Sequence, residues 1–195
     1  MEMVVPWTAP FMFEESLLRR WMEEAQAGDV ASFEQLLKAH EVLVLRIAQR
    51  LLLDRDEARD AAQEVFLRLH QSLDRFDGER PLKPWLYRTT VNICHDFRRK
   101  RRRVVSLEAA SNASSLGPSP YAQLATQERW SLVERALETI PERERDAIVL
   151  RDLEGLETAE VAAILGTSES TVRSQISKGR LKIRQFIESQ GRRKA

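Results

Sequence analysis

The sequence predicts an all-α fold: two helical domains joined by a flexible linker, the second carrying a helix-turn-helix. Three observations predict it. Apolar residues recur at three- and four-residue spacings, and no alternating strand pattern occurs. Only seven glycines and seven prolines interrupt the 195 residues, leaving long continuous stretches. Between residues 104 and 127 Ser, Asn, Gly and Pro cluster, as in Ser111-Asn-Ala-Ser-Ser-Leu-Gly-Pro-Ser-Pro120. That composition marks a linker.

Residues 1–13 show no period and read as a loose tail. Glu14 to Ala27 reads as a helix stopped by Gly28. Asp29 is placed to cap a second helix running to about Leu53, with Phe33, Leu36, Leu37, Val44, Ile47 and Leu51 as its apolar set. Asp54 or Asp56 opens a third, whose inward face is Ala58, Ala61, Ala62, Val65, Phe66 and Leu69. Arg75-Phe-Asp-Gly-Glu-Arg80 breaks it as a loop. Pro84 suits the first turn of a fourth helix, which continues to Arg103. The first domain is therefore 14–103, the linker 104–126 and the second domain 127–190. In the latter, helices run from Gln127 to Ile140 and onward from Pro141.

The stretch from Thr158 to Arg184 is the most informative. Thr158 is expected to cap a short helix, Ala162 and Ala163 are small where two helices approach, and Gly166 suits a turn needing positive φ. Ser168 caps the next helix. Val172 and Ile176 then point inward, and Arg173, Ser174, Ser177 and Lys178 point outward. This is the layout that places one helix in the DNA major groove. Gly179 within that helix costs about 1 kcal/mol relative to Ala and is expected to leave the helix locally loose.

The net charge of +1 conceals segregation. Residues 21–73 sum to −4, 74–103 to +6, 128–170 to −6 and 171–195 to +7. An acidic half thus precedes a basic half in each domain. Two basic surfaces point to two nucleic-acid contacts, and the acidic halves to protein. The lone Cys94 excludes a disulfide framework and a cysteine-rich zinc site, consistent with a reducing cytoplasm. No apolar run approaches the length of a membrane span, and no signal-peptide pattern opens the chain. No membrane insertion, cofactor or metal is expected.

On the fourth helix Leu86, Thr90, Ile93 and Phe97 form an inward stripe. Trp85, Arg88, Asn92 and the run Arg98-Arg-Lys-Arg-Arg-Arg103 lie outside it. An indole can stack on a base, an amide can bond a base edge, and guanidiniums can hold phosphates. The third helix carries Asp60, Gln63 and Glu64 beside its apolar face, a stripe suited to a basic partner helix or to solvent alone.

Asp60-Ala-Ala-Gln-Glu-Val-Phe66, Phe76-Asp-Gly and Pro84 to Arg99 together resemble the promoter-melting domain of extracytoplasmic-function sigma factors. Leu137 to Arg184 resembles their promoter-recognition domain, in the right order and with a linker in the right place. The resemblance implies an alternative sigma factor of bacterial RNA polymerase, whose partners are core polymerase, promoter DNA and, in many relatives, an anti-sigma factor. It implies that Asp60, Gln63 and Glu64 dock on the polymerase clamp helices. Phe76, Asp77 and Gly78 would form a pocket for a flipped base of the minus-ten element. Trp85, Arg88 and Asn92 would read and open it, while Arg98 and Arg99 of the basic run are expected to hold phosphates. Ser170, Thr171, Arg173, Ser174, Ser177 and Lys178 would read the minus-thirty-five element. Ser177-Lys178-Gly179 departs from the family's more usual His-Arg-Ala.

The alternative is a helix-turn-helix regulator of response-regulator type, which needs an N-terminal α/β receiver that residues 14–103 do not suggest. An RNA-binding adaptor using the arginine run is a further class. An enzyme is not expected: His40, His70 and His95 are dispersed, Cys94 and His95 point apart on one helix, and no phosphate-binding glycine loop is present.

Overall fold

The computed structural model describes residues 15–77, 81–110 and 127–193; the expected tail, Gly78 and the Ser/Pro-rich part of the linker lie outside them. The described residues are helical, without strands. In order they are α1 Glu15–Gln26, α2 Val30–Leu52, α3 Arg55–Ser72, a 3₁₀ turn Leu73–Arg75, α4 Leu82–Ala110, α5 Gln127–Glu138, α6 Glu142–Ile148, a π-helical turn Val149–Leu153, α7 Thr158–Leu165 and α8 Glu169–Arg193.

Local chemistry sets the boundaries. Asp29 Oδ2 accepts from the Ser32 N–H at 2.9 Å and starts α2. Asp54, not Asp56, starts α3, its Oδ1 accepting from the N–H groups of Asp56 and Glu57 at 2.9 Å each. α7 departs from expectation: Glu157 occupies the cap, its N–H donating to Glu160 Oε2 at 2.7 Å, and Thr158 is the first helical residue. Gly166 closes α7 at φ 62°, as its placement required. Ser168 Oγ accepts from the Thr171 N–H at 3.2 Å at the start of α8. α4 runs seven residues past Arg103, because Val104 to Ala110 contains no glycine or proline to stop it.

The first module packs α1, α3 and α4 around α2. Ala58, Ala61 and Ala62 are buried and let α3 approach α2 closely. Leu36, Val44, Ile47 and Leu51 from α2 meet Leu86, Val91 and Ile93 from α4 in its core. In the second module Ile148, Val149, Leu150, Val161, Val172 and Ile176 are buried together. The buried apolar side chains of both modules form one connected cluster.

Gly179 is buried rather than loose. A Cβ built there would lie 2.8 Å from Ile148 Cγ1. The glycine is what lets α8 lie against α6, so its helix-propensity cost is spent on close packing.

Candidate nucleic-acid and protein interfaces

Three faces carry the expected site residues. The first lies on α3. Asp60 and Gln63 are exposed and Glu64 is half-exposed, its Oε1 accepting from Arg68 Nε at 2.9 Å. These side chains border a shallow groove of about 300 Å³, closed on the α4 side by Ile93, Asp96, Phe97 and Lys100. Leu67 stands in the same groove at 57% exposure. It was missed in the sequence, where it falls outside the inward set of α3. The signal available was its position, three and four residues beyond Glu64 and Gln63, on the polar stripe.

The second face is the start of α4 and the loop before it. Trp85, Arg88 and Asn92 follow one another at spacings of three and four and share a side of the helix. Arg88 and Asn92 are exposed. Trp85 is half-buried, its ring meeting Phe76 edge to face at 5.5 Å between centroids. The indole is thus anchored on the loop as well as turned outward. The loop is itself held: Gln26 Nε2 donates to the carbonyls of Leu73 at 2.9 Å and Phe76 at 2.8 Å. Gln26 therefore positions Phe76, a role its place at the end of α1 did not announce. Asp77 is exposed beside it.

Arg98 departs from the expected basic face. Only 1% exposed, it donates from Nη1 to Asp146 Oδ1 at 2.8 Å and from Nη2 to the Leu51 carbonyl at 2.5 Å. The reason is azimuthal. Arg98 follows Leu86, Val91 and Cys94 around to the inward side of α4, while Arg99 stays exposed and pairs with Asp96. A buried guanidinium needs an anion and further acceptors; Arg98 has the carboxylate and the carbonyl on its two Nη atoms, while its Nε is buried without a partner.

The third face is α8. Ser170, Thr171, Arg173, Ser174, Ser177 and Lys178 are all exposed, while Val172 and Ile176 are buried. Arg173 Nη2 pairs with Glu169 one turn earlier. Behind this face α8 is braced by charge: Arg180 donates to both carboxylate oxygens of Asp152 at 2.6 and 2.8 Å, and Lys182 to Glu144 at 2.9 Å. With packing on one side and ion pairs behind, α8 turns outward a row of short hydroxyls with Arg173 among them and Lys178 at its end. Such a row can read base edges and grip phosphates.

Cys94 is fully buried, and burial pushes its thiol up to about 12. His95, its neighbour, gives Nε2 to Asp146 Oδ2 at 2.7 Å instead. Among the described residues no group of three or more His, Cys, Asp or Glu side chains is placed to hold a metal ion, and no helix is long and apolar enough to cross a membrane.

Comparison with known proteins matches both modules. Residues 36–104 match Sigma-70 region 2, and residues 130–183 match Sigma-70 region 4. The ECF RNA polymerase sigma-E factor of Escherichia coli is 32% identical over 169 residues, covering 82% of this chain and 88% of its own length. The ECF RNA polymerase sigma factor SigE of Mycolicibacterium smegmatis is 32% identical over 167 residues; the match covers 82% of this chain but only 64% of that longer relative. Among solved structures, the sigma factor RpoE from Bartonella quintana, in complex with the anti-sigma factor NepR, superposes with a TM-score of 0.65 at 26% identity, over 82% of this chain and 98% of that one.

Proposed function

The chain belongs to the extracytoplasmic-function sigma factors, and on that footing we propose which of its faces does which part of transcription initiation. An alternative sigma factor binds core RNA polymerase and directs it to promoters by recognising and melting the minus-thirty-five and minus-ten elements. A response-regulator reading would need an α/β receiver, where residues 36–104 match Sigma-70 region 2 instead.

The α3 groove is the polymerase-docking face, with Asp60, Gln63 and Glu64 as its polar contacts and Leu67 as its apolar one. The α4 face opens the minus-ten element. Trp85, steadied on Phe76, stacks on a base, Asn92 bonds a base edge, and Arg88 and Arg99 hold phosphate. Extruding a base costs a few kcal/mol, which stacking worth about 1–3 kcal/mol per base helps to offset. The outward row of α8 reads the minus-thirty-five element. By analogy with the Bartonella quintana protein, an anti-sigma factor holds the chain inactive until a signal frees it.

The observation that carries the docking assignment is an exposed leucine amid an acidic stripe on the rigid helix of a matched region 2. Asp60→Arg with Glu64→Arg should abolish capture of the full chain by core polymerase while its helicity is unchanged. Capture equal to that of the parent chain would refute the assignment.

A further inference from the structure

Gln26 is the last residue of α1, 47 and 50 positions from the two carbonyls it holds. A side-chain amide carries two N–H donors, one for each: Nε2 donates to the Leu73 carbonyl at 2.9 Å and to the Phe76 carbonyl at 2.8 Å. The Leu73 carbonyl also accepts the Phe76 N–H at 3.1 Å. At Phe76 the 3₁₀ turn ends and the backbone becomes extended, with φ −74° and ψ 126°. Phe76 is therefore fixed at both ends, its N–H tied back to the turn and its carbonyl tied to Gln26.

α1 is a firm support for that tie. Met22 and Ala25 are buried in the core of the first module. One turn earlier than its end, Glu24 Oε2 accepts from Ser32 Oγ of α2 at 2.6 Å. From this support the path to the α4 face is short: Gln26, the Phe76 backbone, the Phe76 ring, then Trp85. The two rings meet at an interplanar angle of 77°. Edge-to-face contact is directional, so a rotation of Phe76 moves the surface on which the indole rests.

We infer that Gln26 is a positioning residue for base capture. It touches no base itself. By holding two carbonyls it sets where the Phe76 ring stands, and so the orientation in which Trp85 meets an extruded base. The inference rests on the reading of the α4 face as the one that opens the minus-ten element. A binding constellation works when its supports hold it to within about 0.5 Å, and neither Phe76 nor Trp85, both half-buried, is locked by burial alone. The chemistry required at position 26 is donation. An acceptor of equal size there would turn two attractions into two repulsions.

The test uses a promoter fragment from which core polymerase and the parent chain yield a transcript, both as intact duplex and melted beforehand. Opening is read from the permanganate reactivity of its thymines. Gln26→Glu keeps the size of the side chain and removes both donors. Core polymerase should capture it as it does the parent. Opening of the duplex should fall roughly tenfold, the order expected from two hydrogen bonds of ordinary net strength, and activity should recover on the melted template. If Gln26→Glu lowers helicity, Gln26→Ala should show the same loss of opening with helicity kept. Phe76→Ala should itself lower opening, and adding Gln26→Glu to it should lower opening no further, because Gln26 acts through that ring. Opening equal to the parent's, or losses that multiply in the double variant, would overturn the inference. Lost capture or lost helicity with both substitutions would overturn it too, leaving Gln26 a role in folding alone. A parent chain that opens no promoter would instead overturn the functional reading.

Discussion

Gly179 shows how far a single residue can depart from its propensity. In an exposed helix, Gly→Ala gains up to about 1 kcal/mol. Here the added Cβ meets Ile148 at 2.8 Å, and overpacking costs about 1–3 kcal/mol. Gly179→Ala should therefore lower the urea midpoint of the full chain; a raised midpoint would mean that α6 and α8 part without strain. At the proposed DNA face the relevant residues are Arg173 and Lys178. Arg173 lies nearer the start of α8, where recognition helices usually touch bases. Arg173→Ala should cost about 1–3 kcal/mol and relax preference at one base position. Lys178→Ala should weaken all sequences alike and reduce the salt slope by about one. Binding to every single-base variant of the upstream element, over a salt series, separates the two; uniform weakening by Arg173→Ala would make it a phosphate contact.

At the scale of helices, α2 carries a buried histidine. His40 bonds the Leu36 carbonyl at 2.9 Å, but burial and the nearby Lys83 charge outweigh that bond and hold its pKa below the usual 6.5. A histidine depressed in the folded state binds its proton more readily when unfolded. Its neutral form thus supports the fold fully above about pH 6.5, and that support is lost as pH falls through the lower folded value. Urea midpoints measured from about pH 8 down to about pH 5.5 should fall, and His40→Leu should flatten the fall. An unchanged slope would assign the acid sensitivity to other groups. The helices themselves were legible in the sequence, because apolar spacing, Asp29, Gly166 and Ser168 each carry a local signal. The cap of α7 was not, since Glu157 and Glu160 act as a pair and Thr158 alone looked the better cap. Nor was the end of α4, where the mostly apolar run Val104 to Ala110 lacks a breaker. The outward row of α8 could be read from one helix, because inward Val172 and Ile176 fix its azimuth. Arg98 was missed because six consecutive basic residues read as one surface, although its spacing from Val91 and Cys94 puts it on the inward side of α4, where Asp146, 48 positions away, receives it.

For the whole molecule, charge segregation was visible in the sequence but its partner was not: the acidic half of the second module meets arginines of α2 and α4 of the same chain. Between Ala110 and Gln127 lie residues 111–126, which at about 3.3 Å each can reach roughly 53 Å. With the breadth of the two modules added, that reach is compatible with elements about 70 Å apart, so one chain can serve both once the modules part. The most direct measurement is run-off transcription by purified core polymerase on genomic fragments, with the parent chain, with Asp60→Arg/Glu64→Arg and with Asn92→Ala. Discrete transcripts should appear only when the parent chain is added and should vanish with the docking variant. With Asn92→Ala they should be lost on duplex promoters but partly recovered on templates melted beforehand. Transcripts independent of the chain, or equal from all three proteins, would contradict its role as the factor that selects and opens the promoter.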